Sequence, residues 1–330
     1  MPLSTSNSEP ASRPDDEQGY FPAIGSPSDQ RRIRHAIASF IVLLVLLLLS
    51  AELATRYLYP RISRIEQRVV QDQREVATIK PAGTPPTMLL AGNSLLLHGL
   101  DYPKIRTELA PDARIVRFAI ENTEFVDWFY GLRQLFARGI KPSKVFLCLN
   151  LGQALSHSVL EESAWHLFGA RDLLAVGRET GMDHTQTSNL IFDHWSSFYA
   201  NRAGLRNYIL NITDRRYADE LHALARHPPN FPPEEEMLAQ ARVRLRRFKE
   251  LCDENGVEFV LLIAPELNNQ NNLILAKAAS MEHVDIEVPI AEGALGPEFF
   301  QADRFHLNEK GTAVFTEALT RDLRSRLPVH

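Results

Sequence analysis

The sequence predicts an α/β domain, a parallel sheet with helices on both faces, held behind one N-terminal transmembrane helix. Three observations carry that prediction. From Thr87 onward, short apolar runs of strand length alternate with stretches of helical periodicity. The runs end at Gly, Asn or Pro, the residues that punctuate strand-to-helix turns. Ahead of them, Ala36 to Ala51 carries no charge at all.

Residues 1–30 are rich in Ser, Pro, Asp and Gln and hold few large apolar groups. Such a composition buries too little surface to offset ordering entropy, so a disordered cytoplasmic tail is expected. Residues 31–59 form the anchor. Its uncharged centre is a little short for a hydrocarbon core of roughly 30 Å at about 1.5 Å per residue. Leu53, Ala54, Tyr57, Leu58 and Tyr59 extend it past Glu52 and supply interfacial aromatics. A cleavable signal peptide would want small residues before a cut, which Leu49-Ser50-Ala51-Glu52 supplies poorly. Arg31, Arg32 and Arg34 favour a cytoplasmic N-terminus, although Arg56, Arg61, Arg64 and Arg68 flank the other side.

Pro60 is expected to close the anchor helix. Residues 60–86 then form an amphipathic stalk, with Ile62, Ile65, Val69 and Val70 between charges, and a Pro-rich linker. The stalk either docks on the domain or self-associates weakly, and docking is the simpler expectation.

The soluble domain occupies residues 87–330. A strand at Thr87–Ala91 leads through Gly92-Asn93 to a helix near Ser94, and a second helix covers Pro103–Leu109. A strand at Arg114–Ile120 precedes an amphipathic helix from about Phe125 to Arg138. Gly139 and Pro142 then punctuate before the strand Lys144–Leu149. In such sheets ligands bind beyond the strands' carboxyl ends, where Ser94, Asn122 and Asn150 fall. Residues 153–232 depart from this pattern and predict a mainly helical insertion, with helices around Leu167–Arg178, Asn189–Tyr199 and Leu205–Ile212. Its aromatics, Trp165, Phe168, Phe192, Trp195, Phe198 and Tyr199, either hold a small core of their own or line a lid or acceptor wall.

The core pattern returns with a helix from Glu234 to Asn255, capped by Gly256, whose Arg242-Val-Arg-Leu-Arg-Arg247 segment is expected to be a solvated face. A strand at Glu258–Ala264, a polar loop at Asn268–Asn272, a short strand near Val284–Val288 and a last helix from about Asn308 to Leu327 complete the domain.

Composition narrows the function. A net charge of -5 and a pI near 6.1, with no basic stripe, argue against nucleic-acid binding. Two cysteines cannot frame disulfides or zinc, and Cys148, inside an apolar strand, is expected to be a buried thiol. The histidines of the insertion lack metal-ligand spacing.

Two stretches carry chemistry. Gly92 permits a sharp turn that sets Ser94 at the first turn of a helix, where unpaired N–H groups favour developing negative charge. More than two hundred residues later, Asp303-Arg-Phe-His306-Leu-Asn308-Glu-Lys-Gly311 offers a base and the carboxylate that would orient it. Gly92-Asn93-Ser94 resembles the Gly-Asp-Ser block of the SGNH/GDSL hydrolases, and Asp303-x-x-His306 resembles their last block. The resemblance spans roughly residues 86–327. It implies a flavodoxin-like three-layer α/β/α fold, a Ser94–His306–Asp303 triad, and an oxyanion hole built from the Ser94 N–H and Asn150, with Asn122 a weaker donor. It implies neither metal nor organic cofactor.

Membrane-anchored domains of this type resemble envelope polysaccharide O-acetyltransferases and O-acetylesterases. That implies an extracytoplasmic domain on the inner membrane and an acyl-ester or carbohydrate substrate, with any envelope-assembly partner unspecified. Asn93 stands where the family has Asp, and no second-block glycine is evident. These departures leave open a non-catalytic module that binds glycan or scaffolds an envelope assembly. Asn93 is either a turn-former that Asp could replace or a position where a carboxylate would compete with Asp303 or repel the oxyanion.

Overall fold

The computed structural model describes residues 27–81, 83–110, 112–206, 231–267 and 271–327. The chain divides into two compact units, residues 1–50 and 51–330. The tail expectation lies outside the described residues up to residue 26. From there helix α1, Pro27–Ile62, takes in the last residues assigned to the tail. Gln30–Ile62 is long and apolar enough to cross a membrane, with a mean hydropathy of 2.6 in its most apolar window. Pro60 does not close the helix: α1 runs on to Ile62, and the break comes at Ser63. Near a helix end, Pro forfeits little hydrogen bonding, so it is tolerated there. Ser63 then caps α2, Arg64–Val76, accepting from the Glu66 N–H at 3.2 Å.

The second unit is a three-layer α/β/α domain. Among the described residues five parallel strands run β1 (Thr87–Gly92), β2 (Arg114–Ala119), β3 (Lys144–Cys148), β4 (Glu258–Leu262) and β5 (Asp285–Glu287), in the order β2-β1-β3-β4-β5. Every residue of β1 is buried, as its unbroken apolar run requires of a strand covered on both faces. Strand alternation divides the core. Leu89 and Ala91 face one layer with Val145, Leu147 and Leu261, while Met88 and Leu90 face the other with Phe146, Val260 and Leu262.

The first layer holds α5 (Phe125–Ala137) and α11 (Glu234–Asp253), and the second holds α3 (Ser94–Gly99), α4 (Tyr102–Leu109) and α13 (Glu309–Ser325). Helix α2 lies on the domain: Val69 and Val76 join the first core, and Asp72 takes two hydrogen bonds from Arg117 of β2, the edge strand.

The insertion contains α6 (Leu151–Leu155), α7 (Ala164–Leu167), α8 (Leu173–Glu179), α9 (His184–Trp195) and α10 (Ser197–Ala200). Most of the helix expected at Leu205–Ile212 lies outside the described residues. Phe168 is buried in the main core, whereas Phe192, Trp195 and Phe198 are exposed, so among the described residues these four are not gathered into a core of their own.

Helix α12, Asn271–Met281, occupies a stretch that the sequence left unassigned beyond a polar loop. The arginine segment of α11 is only in part a solvated face: Arg246 is exposed, but the others are engaged or buried. Arg244 is buried and donates to the carbonyls of Ala154 and Ser156, Arg247 pairs with Glu179 and lies over the Phe129 ring, and Arg242 and Arg246 both reach Glu282. Buried carbonyls of the insertion need donors, and a long Arg stem can cross apolar surface to supply them.

Candidate active site

The chain reverses its winding direction at β1, so the crevice at the carboxyl ends of β1 and β3 is the topological switch point of the sheet. Gly92 ends β1 there. A Cβ on Gly92 would lie 2.8 Å from the Cys148 carbonyl oxygen, so only glycine lets the two strands keep their spacing. Cys148 itself is fully buried, and burial pushes its thiol up to about 12, which makes it inert at neutral pH.

Asn93 is wholly buried and caps α3. Its Oδ1 accepts from the Leu95 N–H at 3.0 Å, and its Nδ2 donates to the Thr123 carbonyl at 3.1 Å. It therefore does more than shape a turn, because it ties the start of α3 to the loop after β2. That arrangement needs one acceptor and one donor on the same side chain, which an amide has and a carboxylate lacks. Ser94 follows as the first residue of α3 and is half-buried.

The Asp303–His306 pair forms as its spacing suggests. Nδ1 of His306 lies 2.7 Å from Asp303 Oδ2, while Asp303 Oδ1 accepts from the N–H groups of Phe305 and His306 at 3.0 and 3.1 Å. Burial would raise the Asp303 carboxyl. The hydrogen bonds from the His306 ring and the two N–H groups outweigh it and hold the group below the usual carboxylate range. Arg304, between them, adopts a left-handed conformation at φ 60° that turns the loop. Nε2 of His306 is buried and has no hydrogen-bond partner among the described residues. The carboxylate on Nδ1 selects the tautomer with its proton there, leaving Nε2 as a bare acceptor.

Helix α13 sets this loop against α3. The Thr312 hydroxyl donates to the His98 carbonyl at 2.8 Å, and the Asp101 N–H donates to Thr316 Oγ1 at 2.9 Å. A Cβ on Gly311 would collide with the Phe299 carbonyl, which explains the glycine five residues after His306. The His306 ring meets the rings of Phe305 and His98 edge to face, with centroids 4.9 and 5.1 Å away. His98 is four residues beyond Ser94 and so on the same helical face. The structure thus brings His306 to the face of α3 that Ser94 opens. No hydrogen bond joins Ser94 to His306 among the described residues.

Asn150 follows β3 and caps α6, accepting from the Gln153 N–H at 2.9 Å, while Nδ2 donates to Glu266 Oε1 at 2.6 Å. An amide nitrogen carries two hydrogens, so one donor remains beyond that bond. Burial pushes Glu266 up to about 7 against the opposing pull of Asn150. Asn122 lies in an exposed left-handed turn at φ 59° and lines a cavity of about 140 Å³ with Tyr59, Glu66 and His166, none of them triad candidates.

Two residues escaped the sequence reading. His98 and Glu121 approach to 3.5 Å, and Arg68 of α2 reaches Glu121 at 3.3 Å. His98 holds the Glu121 carboxyl below its usual range against the pull of burial, and Arg68 adds to the effect. Only the position of His98, one helical turn after Ser94, could have signalled the first of them.

A cleft of about 520 Å³ opens beside the pair, lined among others by Asn150, Gln153, His157, Phe231, Gln240 and Phe305.

No protein-family model matches the chain, and no curated protein matches its sequence. Among solved structures, it is similar to TesA at 15% identity and a TM-score of 0.35, over 73% of this chain and 99% of that one. It is also similar to the psychrotrophic esterase EstA from Pseudoalteromonas sp., inhibited by monoethylphosphonate. That likeness has 11% identity and a TM-score of 0.36, over 73% of this chain and 98% of that one.

Asn93→Asp tests the cap. At neutral pH the variant sets a buried carboxylate against the Thr123 carbonyl, and losing the donor is expected to cost about 1–3 kcal/mol. The new carboxyl's folded pKa is raised above its unfolded value of about 3.9, so the penalty is smallest below pH 4 and grows as pH rises through the raised pKa. Denaturant unfolding of both proteins from pH 4 to 8 measures the gap; a constant gap would contradict the assigned hydrogen bond.

Proposed function

We propose that this chain is a membrane-anchored serine esterase or O-acyltransferase working through Ser94, His306 and Asp303. The observation that carries the reading is the Asp303–His306 pair, whose buried, unpartnered Nε2 sits beside the helix that Ser94 begins. In this mechanism the Ser94 hydroxyl attacks an ester carbonyl and passes its proton to Nε2. Asp303 stabilises the resulting imidazolium. The Ser94 N–H and the second Asn150 N–H stabilise the oxyanion, while Asn122, on its exposed turn, takes no part. His306 then protonates the departing alcohol, leaving the acyl group on Ser94. A second nucleophile, activated by the same imidazole, removes it.

Water as that nucleophile gives an esterase, and a sugar hydroxyl gives a transferase. The cleft beside the pair favours a carbohydrate ester, because amide, imidazole and aromatic side chains together suit a polyhydroxylated ring. The apolar span of α1, with Arg31, Arg32 and Arg34 before it, supports a single-pass protein of the inner membrane with the domain on the periplasmic side. The pairing of Asn93 with the Thr123 carbonyl favours the catalytic reading over a non-catalytic glycan-binding or scaffold module, since it gives the Asn-for-Asp change a structural reason.

Turnover of an aryl acetate by the detergent-solubilised full chain tests the chemistry. Ser94→Ala and His306→Ala are expected to abolish it, and Asp303→Asn to lower it about 10³- to 10⁴-fold, with thermal midpoints near that of the parent. Asn150→Ala is expected to cost about 10²- to 10³-fold, and Asn122→Ala, on its exposed turn, less than about threefold. Parent-like turnover by Ser94→Ala would refute the mechanism.

Orientation is tested separately. Alkaline phosphatase fused after Leu327 should be active in cells, and an inactive fusion beside a fluorescent cytoplasmic one would reverse the topology.

A further inference from the structure

The chain leaves its apolar stretch at Ala51, and the next residue, Glu52, is charged. The Glu52 carboxylate is engaged by the insertion. It accepts from Ser196 Oγ at 2.7 Å, from the Ser197 N–H at 2.9 Å and from the Phe198 N–H at 3.0 Å, and so caps the amino end of α10. Arg56, one turn on, pairs with Glu52 and donates to the Trp195 carbonyl at 3.1 Å. Tyr59 packs against Gly204 so closely that a Cβ there would touch its hydroxyl. The elbow between α9 and α10 is therefore locked to residues 52–59 of α1.

That elbow carries bare aromatic surface. Phe192, Trp195 and Phe198 are 56%, 63% and 38% exposed. Phe192 and Trp195 are three apart on α9 and share a face. Leu53, Tyr57 and Leu58 of α1 are likewise exposed. Basic groups flank the region: Arg202 lies over the Tyr199 ring, and Arg61 over Tyr57. Clustered aromatics beside cationic side chains match the composition of a membrane–water interface.

Depth identifies the occupant. About 20 helical residues cross a hydrocarbon core of roughly 30 Å, so a span that starts just after Arg34 reaches its far boundary near Ala54. Whatever is hydrogen-bonded to Glu52 and Arg56 shares that depth. We propose that Phe192, Trp195 and Phe198 form a lipid-contacting elbow, which seats the domain at the headgroup–acyl boundary of the bilayer that its own α1 crosses. The elbow fixes the domain's height and tilt, so that the site works at a set distance from the membrane surface. It rests on the membrane-anchored part of the proposed function and is independent of the acyl-transfer chemistry.

The test uses the full chain in phospholipid nanodiscs with an environment-sensitive thiol dye. Cys148 and Cys252 are buried, so dye attaches at one introduced thiol. Probes go at Phe192→Cys and Trp195→Cys, with Val45→Cys in the span and the exposed Val243→Cys on α11 as references. Lipids brominated near the headgroup are expected to quench the 192 and 195 probes about twofold or more, lipids brominated near the acyl-chain ends to quench the 45 probe, and both to leave 243 unchanged. Quenching at 45 but not at 192 or 195 would overturn the elbow and leave the anchor standing. Absence of quenching at 45 would overturn both. A blue-shifted 195 probe that bromine does not quench would mean that protein, not lipid, covers the face. A second pair, Phe192→Ser and Phe198→Ser, should leave detergent-phase aryl-acetate turnover within about twofold while broadening the domain's tilt in the disc; unchanged tilt would also overturn the proposal.

Discussion

The site depends on how tightly α13 lies against α3. Two side-chain-to-backbone hydrogen bonds, Thr312 to the His98 carbonyl and the Asp101 N–H to Thr316, join segments more than two hundred residues apart. Each contributes only about 0.5–1.5 kcal/mol net. Their larger consequence is positional. Gly311 lets the Phe299 carbonyl reach the helix, Asn308 caps α13 while its amide holds the carbonyls of Glu298 and Phe300, and the loop between them must present His306 toward α3. A base is useful only where its acceptor nitrogen is aimed, and here aim is set by helix packing outside the loop itself.

A second constraint acts from below. Gly92 holds β1 close to β3, and Asn93 holds α3 to the loop after β2. Ser94 is thus fixed by two neighbours of β1 on opposite sides, while His306 is fixed by α13. The two halves of the candidate triad are positioned by independent parts of the fold. Helix α2 joins the same framework, because it sends Val69 and Val76 into the core and Arg68 to Glu121, which in turn meets His98.

Much of this was legible in the chain. Unbroken apolar runs specify buried parallel strands, and all five strands fall within a residue or two of where the pattern places them. Asp303 and His306 sit close enough in sequence for their pairing to be local. Less legible were features set by long-range packing. The arginines of α11 resemble an exposed charged stripe, yet Arg244 is drawn inward by insertion carbonyls that no local pattern announces. The break after Ile62 depends on Ser63 rather than on the conspicuous Pro60. Asn93 was visible as a departure from a motif, but its partner, the Thr123 carbonyl, is thirty residues away.

The central claim is that Ser94 is a nucleophile activated by His306. Its most direct measurement is peptide-level mass spectrometry of the full chain after reaction with a fluorophosphonate. The account predicts one phosphonyl group, on the peptide containing Ser94, and its loss in His306→Ala. A phosphonyl group on a different serine, or none on a folded protein, would contradict it.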